Sequence, residues 1–124
     1  MITEDYVSFE TAKLLKQKKF NGVSIITQYD EKEAREYIKG KKAFSSDDPK
    51  LKEFYYTIPT LQMAMKWLRE IYNIPINVLY ERIYIHHYKF TCVTKKHEIG
   101  DAHRYDTYEQ ACEAAIKYCL EKLI

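Results

Sequence analysis

His86-His87, Cys92, His97 and His103 are the one stretch of the chain whose residue types suit a metal ion. A structural zinc site needs four ligands converging in a tetrahedron, usually announced by close Cys or His pairs in each half of the motif. This chain offers no Cys-x-x-Cys, and its paired histidines are adjacent, so on a strand they point to opposite faces. The expectation is turn and surface histidines, with no metal and no cofactor. The three cysteines read the same way. Cys112 and Cys119 lie two helical turns apart on one predicted helix, roughly 10 Å and too far to bridge within it. Cys92 shares a strand alternation with Tyr88 and Phe90. A nucleophilic thiol needs a base in reach and a partly open polar setting, and none of the three positions suggests one. Buried, reduced thiols are expected, and with them a thermal melt indifferent to reductant and to chelator.

Other catalytic patterns are missing from the sequence. Gly22, Gly40 and Gly100 are isolated, so none opens a phosphate-cradling loop, and no Ser-centred elbow is present. The carboxylates are interspersed with lysines, as on a solvated surface. The compositional oddity is the twelve tyrosines. Tyr80, Tyr84 and Tyr88 fall on one alternation of a predicted hairpin, with Arg82 and His86 interleaved. That mixture of rings and cations suits a protein interface or a second copy of the chain. Ranked ahead of that reading is a structural one, in which tyrosines are strand formers whose rings fill a core edge while their hydroxyls stay wet. Ranked behind the interface is stacking on the bases of a single-stranded nucleic acid. Tyr80, Arg82, Tyr84 and Tyr88 are therefore the candidate binding residues. The other alternation, Leu79, Glu81, Ile83 and Ile85, is expected to lie against the helices.

Those residues have to be positioned by a small set of elements. The stretch Pro59-Thr-Leu-Gln-Met-Ala-Met-Lys-Trp-Leu-Arg-Glu-Ile-Tyr72 reads as a helix capped by Thr60. Its polar positions Gln62, Lys66, Arg69, Glu70 and Asn73 fall in a strip roughly 100° wide. The rest of its surface is apolar, so it is expected to be the most buried helix, with Trp67 more than nine-tenths covered. Ser8 begins a first helix from Phe9 to about Lys19, ended by Asn21-Gly22. Residues 23–29 read as a strand, and Asp30-Glu-Lys-Glu33 as the start of a helix stopped by Gly40. Residues 41–52 are composed like an exposed loop, and residues 54–58 like a short strand. Ile76 to Ile85 and Tyr88 to Thr94 read as a long hairpin turning near His86-His87, followed by a loop over residues 95–106. Thr107-Tyr-Glu-Gln110 opens the last helix, whose stripe of Tyr108, Ala111, Cys112, Ala115, Cys119, Leu120 and Leu123 would let it lie close to a neighbour.

At 124 residues one domain over the whole chain, 1–124, is expected, large enough to bury roughly two-thirds of its unfolded surface. The net charge of +2 is evenly spread: residues 1–59 hold 11 Lys/Arg and 10 Asp/Glu, and residues 60–124 hold 9 and 8. No basic arm advertises nucleic acid or an anionic membrane. No apolar run approaches the roughly 20 residues of a membrane span, and Met1-Ile-Thr-Glu-Asp-Tyr6 lacks the basic and apolar regions of a signal peptide, so a cytoplasmic location is expected.

Three stretches carry a resemblance: Met1-Ile-Thr-Glu-Asp-Tyr-Val-Ser-Phe-Glu-Thr-Ala-Lys-Leu-Leu-Lys16, Pro59 to Glu70, and Tyr105-Asp-Thr-Tyr-Glu-Gln-Ala-Cys-Glu-Ala-Ala-Ile-Lys-Tyr-Cys-Leu120. Over somewhat under half its length the chain resembles short uncharacterised proteins of gut anaerobic bacteria, often associated with phage and other mobile elements. It departs from them at Lys19, where such proteins usually carry the glycine of a Lys-Gly-Phe ending. The resemblance implies a bacterial or phage accessory protein and brings no activity or site with it. Together these readings give an α+β fold, with an antiparallel sheet of about four strands and three to four helices. The function expected is a non-catalytic binding or accessory protein acting through protein contacts. An enzyme of some other class ranks third, after the nucleic-acid binder.

Overall fold

The computed structural model describes residues 4–22, 24–41, 48–82, 86–100 and 103–124. Four α-helices form, and each starts where a side chain can accept a bond from an otherwise unpaired first-turn N–H. Ser8 caps α1 (Phe9–Gln17) by accepting from Thr11, and Asp30 caps α2 (Glu31–Lys39) by accepting from Glu33. Thr60 caps α3 (Leu61–Ile71) by accepting from Met63, and Thr107 caps α4 (Tyr108–Tyr118) by accepting from Gln110. Gln110 closes the last cap by accepting from the Asp106 N–H. In α2 the carboxylate of Glu33 is drawn away instead, to Lys13 and the Tyr56 hydroxyl, while the Asp30 N–H goes to the Phe54 carbonyl.

The strands divide into two antiparallel sheets, giving the expected α+β fold with a different grouping of its strands. β1 (Thr27–Tyr29) pairs with β2 (Tyr55–Thr57), and β3 (Ile76–Arg82), β4 (His86–Val93) and β5 (Glu98–Gly100) form a meander in the order β3-β4-β5. A helical layer keeps the sheets apart. α4 packs on β3 and β4 and also touches α3 and α1, while α1 in turn packs on β2. The element at the centre is therefore α4 rather than α3. Its Ala111, Cys112, Ala115 and Ile116 are fully covered, as is Cys119 just beyond its end, because the mostly small side chains let neighbours approach from several sides. α3 buries Leu61, Ala64, Met65, Trp67 and Leu68, with Trp67 6% exposed as expected, but its last turn projects outward and leaves Ile71 59% exposed.

Four local readings are corrected. The segment read as a loop over residues 41–52 contains, among its described residues, the start of a 3-10 helix, Pro49–Phe54, capped by Asp48. The loop over residues 95–106 contributes β5, which its lysines and single glycine concealed. Among the described residues of the strand expected over residues 23–29, only the last three form β1. The first helix ends earlier than expected, at Gln17, because Lys19 turns left-handed at φ 61. The Phe20 N–H then reaches the Leu15 carbonyl and the Lys19 N–H reaches Lys16, so the helix is closed by a left-handed C-terminal turn.

Candidate functional site

The hairpin that carries the candidate residues ends its first arm earlier than its composition suggested. β3 stops at Arg82, and His86 and His87, expected at the turn, are the first residues of β4, opposite Arg82 and Glu81. Tyr84, with Ile83 and Ile85, lies outside the described residues. The register places Ile76 opposite Cys92, Val78 opposite Phe90 and Tyr80 opposite Tyr88, and these six share one face. That face is core at its base and open at its tip. Phe90 and Cys92 are covered by α4, Tyr88 is half-buried, and Tyr80 is 50% exposed, with Arg82 and His86 exposed beyond it. The expected division of faces is overturned, since the tyrosine alternation is the one that meets the helices. Leu79, on the other alternation, is 49% exposed. The aliphatic alternation misled because Phe90 and Cys92, rather than Leu79, decide which face α4 covers.

The rings at the open end pack against one another at inclined or edge-on angles. Tyr80 lies 5.1 Å from Tyr88 and 5.6 Å from His86 between ring centroids, and Tyr88 meets Tyr108 of α4 edge-on at 6.3 Å. The ladder gives Tyr80 a fixed orientation while leaving its outer half in water. On the opposite face Glu81 accepts from Lys89 and lies 3.0 Å from His87, and the Lys89 ammonium together with His87 holds its carboxyl below the usual range. His87 itself is buried, which nothing in its sequence neighbourhood announced.

The backbone of β3 adds a feature that side-chain types could not reveal. Tyr88 exchanges both backbone bonds with Tyr105, at 2.8 and 2.9 Å, so its N–H and C=O point away from β3. In an antiparallel ladder bonded and non-bonded pairs alternate. Tyr80, and with it Ile76, Val78 and Arg82, therefore direct their N–H and C=O outward from the sheet. Among the described residues no strand pairs with that edge. The result is a seven-residue edge strand flanked by half-exposed Leu79 and Tyr80.

The chain matches no protein-family model, no curated protein and no solved structure.

The metal-type residues are dispersed. His86 packs against Tyr80, His87 faces Glu81, His97 is exposed between β4 and β5, and His103 lies against Tyr105. Among the described residues no three His, Cys, Asp or Glu side chains come together as a ligand set. A groove of about 540 Å³ opens away from the hairpin, between Tyr6, Leu61, Tyr105, Glu109 and Glu113. Glu113 is occupied there with joining helices: its Oε1 accepts from the Ser8 N–H at 3.0 Å and from the Thr11 hydroxyl at 2.6 Å. Sequence reading also missed Cys92 and Cys119, whose sulfurs lie 3.5 Å apart across β4 and the segment after α4. Only a register for β4 against the last helix could have paired them.

Proposed function

We propose that this protein is a non-catalytic binding protein whose contact surface is the outer edge of β3, with Leu79, Tyr80 and Arg82 beside it and Tyr88 holding Tyr80 in place. The observation that carries this reading is the unpaired edge of β3 with half-exposed Leu79 and Tyr80 on its two faces. Such an edge receives an extended segment through main-chain bonds, and the flanking side chains select which segment. A strand from a partner protein, or β3 of a second copy, is the occupant. The ring contacts favour this over base stacking, because Tyr80 already packs against Tyr88 with the rings inclined at 51° and the chain carries a net charge of only +2. No helix among the described residues is long and apolar enough to cross a membrane. The role of a mobile-element accessory protein working in the cytoplasm rests on the resemblance of the three stretches.

The test is a double variant, Leu79→Lys/Tyr80→Ala, compared with wild type in sedimentation velocity and in partner capture from a bacterial host. Lys on an edge strand opposes pairing with another chain, and the ring removed is half in water. The expected outcome is a melting temperature within a few degrees of wild type together with loss of the dimer or captured partner. Binding that survives the double variant would overturn the reading. Binding to a single-stranded oligonucleotide that collapses with added salt would replace it with the nucleic-acid alternative.

A further inference from the structure

Cys92 and Cys119 are the only pair of nucleophilic side chains among the described residues that the fold brings together without assigning them a partner elsewhere. Cys92 lies on β4 and Cys119 begins the π-type segment Cys119–Leu123 that continues α4. Both are fully buried, with 3.5 Å between the sulfurs. Sulfurs bond at about 2 Å, so the two must close by roughly 1.5 Å to join. The two thiols are also unlike. Either sulfur can donate in the contact between them, and that contact raises Cys119 above the ordinary thiol range and lowers Cys92. Cys112, two turns earlier on the same helix, has the Tyr108 hydroxyl beside it and is pushed upward by burial.

We propose that Cys92 and Cys119 form a dithiol site that is oxidised by a low-molecular-weight disulfide, stapling the three-stranded sheet to the end of α4. Both sulfurs are buried, so local opening of the Cys119–Leu123 segment is needed to admit the oxidant. The Cys92 thiolate attacks one sulfur of the small disulfide, forming a mixed disulfide and releasing one thiolate. As the segment closes, Cys119 loses its proton and attacks the Cys92 sulfur, releasing the second thiolate. Two protein thiols are oxidised, one small disulfide is reduced to two thiols, and the two protons end on the released sulfurs. The site is independent of the β3 edge.

The test is incubation of the reduced, folded protein with glutathione disulfide, followed by alkylation and a non-reducing tryptic map. Trypsin separates the three cysteines into residues 90–95, 105–117 and 118–122, so the pairing is read without ambiguity. The expected result is the loss of two hydrogen masses, a linked peptide of 90–95 with 118–122, and Cys112 still alkylated. Closing a loop with its ends 27 residues apart should also raise the melting temperature on the order of 10 °C, reversibly with dithiothreitol. Cys112→Ala should keep the link, and Cys119→Ala should make the melt indifferent to the glutathione ratio. Three thiols still alkylatable after long incubation, a stable glutathione adduct, or a link through Cys112 would each overturn the proposal. The map on the wild-type chain decides the matter even if Cys119→Ala does not fold.

Discussion

Lys19 is the residue whose replacement should most clearly improve the protein. It sits at φ 61, where a Cβ crowds the following carbonyl and glycine does not. Its position closes α1, with Phe20 bonded back to Leu15, so the turn must be kept while the side chain is dispensable. Lys19→Gly is expected to stabilise by about 0.5–1 kcal/mol after the extra unfolded-state freedom of glycine is deducted, read as a higher urea midpoint at unchanged slope. Trp67 lies at the other extreme. Its ring is wedged edge-on against Phe20 and Tyr72, and its indole N–H donates to Asn21 at 3.1 Å. Trp67→Ala should cost about 3–5 kcal/mol, a large part of a small domain's stability, and a variant melting within a few degrees of wild type would refute that placement. Asp48 sets an acid limit. The Lys41 ammonium, the Lys50 N–H and the Tyr37 hydroxyl hold its carboxyl at about 2. An unfolded aspartate titrates near about 3.9, so this contribution is complete above that pH and is lost as pH falls toward about 2. In Asp48→Asn the melting temperature should therefore fall less steeply across that window than in wild type.

At the scale of elements, the four helix starts were legible because a cap is a local event. Ser8, Asp30, Thr60 and Thr107 each bond within their own first turn, and no distant residue is needed to choose them. Thr60→Ala and Thr107→Ala should each cost about 1 kcal/mol in denaturant titrations, since the N–H groups of Met63 and Gln110 lose their acceptor. The hairpin was legible as a hairpin, but its first arm was read past Arg82 and its second arm was started after His86, where β4 begins. Its burial could not be read from alternation alone: one face carries Tyr80 in water and Phe90 in the core, and only the length of α4 decides where cover ends. β5 and the Cys92–Cys119 proximity were illegible for a related reason. Neither exists without its partner: β5 needs the strand just before it, Thr91 to Val93, and Cys92 needs Cys119, 27 residues further on.

For the molecule as a whole, one continuous core runs from Val7 and Ile58 through Leu15, Leu68 and Ile116 to Phe90 and Cys92. Trp67, the single tryptophan, belongs to that core, while the far-ultraviolet signal of the helices averages over all layers. Fluorescence and circular dichroism should therefore report one coincident denaturant transition, and separated midpoints would divide the core in two. α2 is the exception to this shared burial. Only Ala34 of Glu31–Lys39 is buried, and the helix is fastened by Lys13 to Asp30 and Glu33, by Tyr56 to Glu33 and by Tyr37 to Asp48. A helix tethered by charge has a detachment energy set by ionic strength, whereas one tethered by apolar area does not. Amide deuterium uptake in α2 should accordingly quicken as salt is raised while α3 and α4 keep their protection, so the ions of its surroundings set how long α2 remains docked.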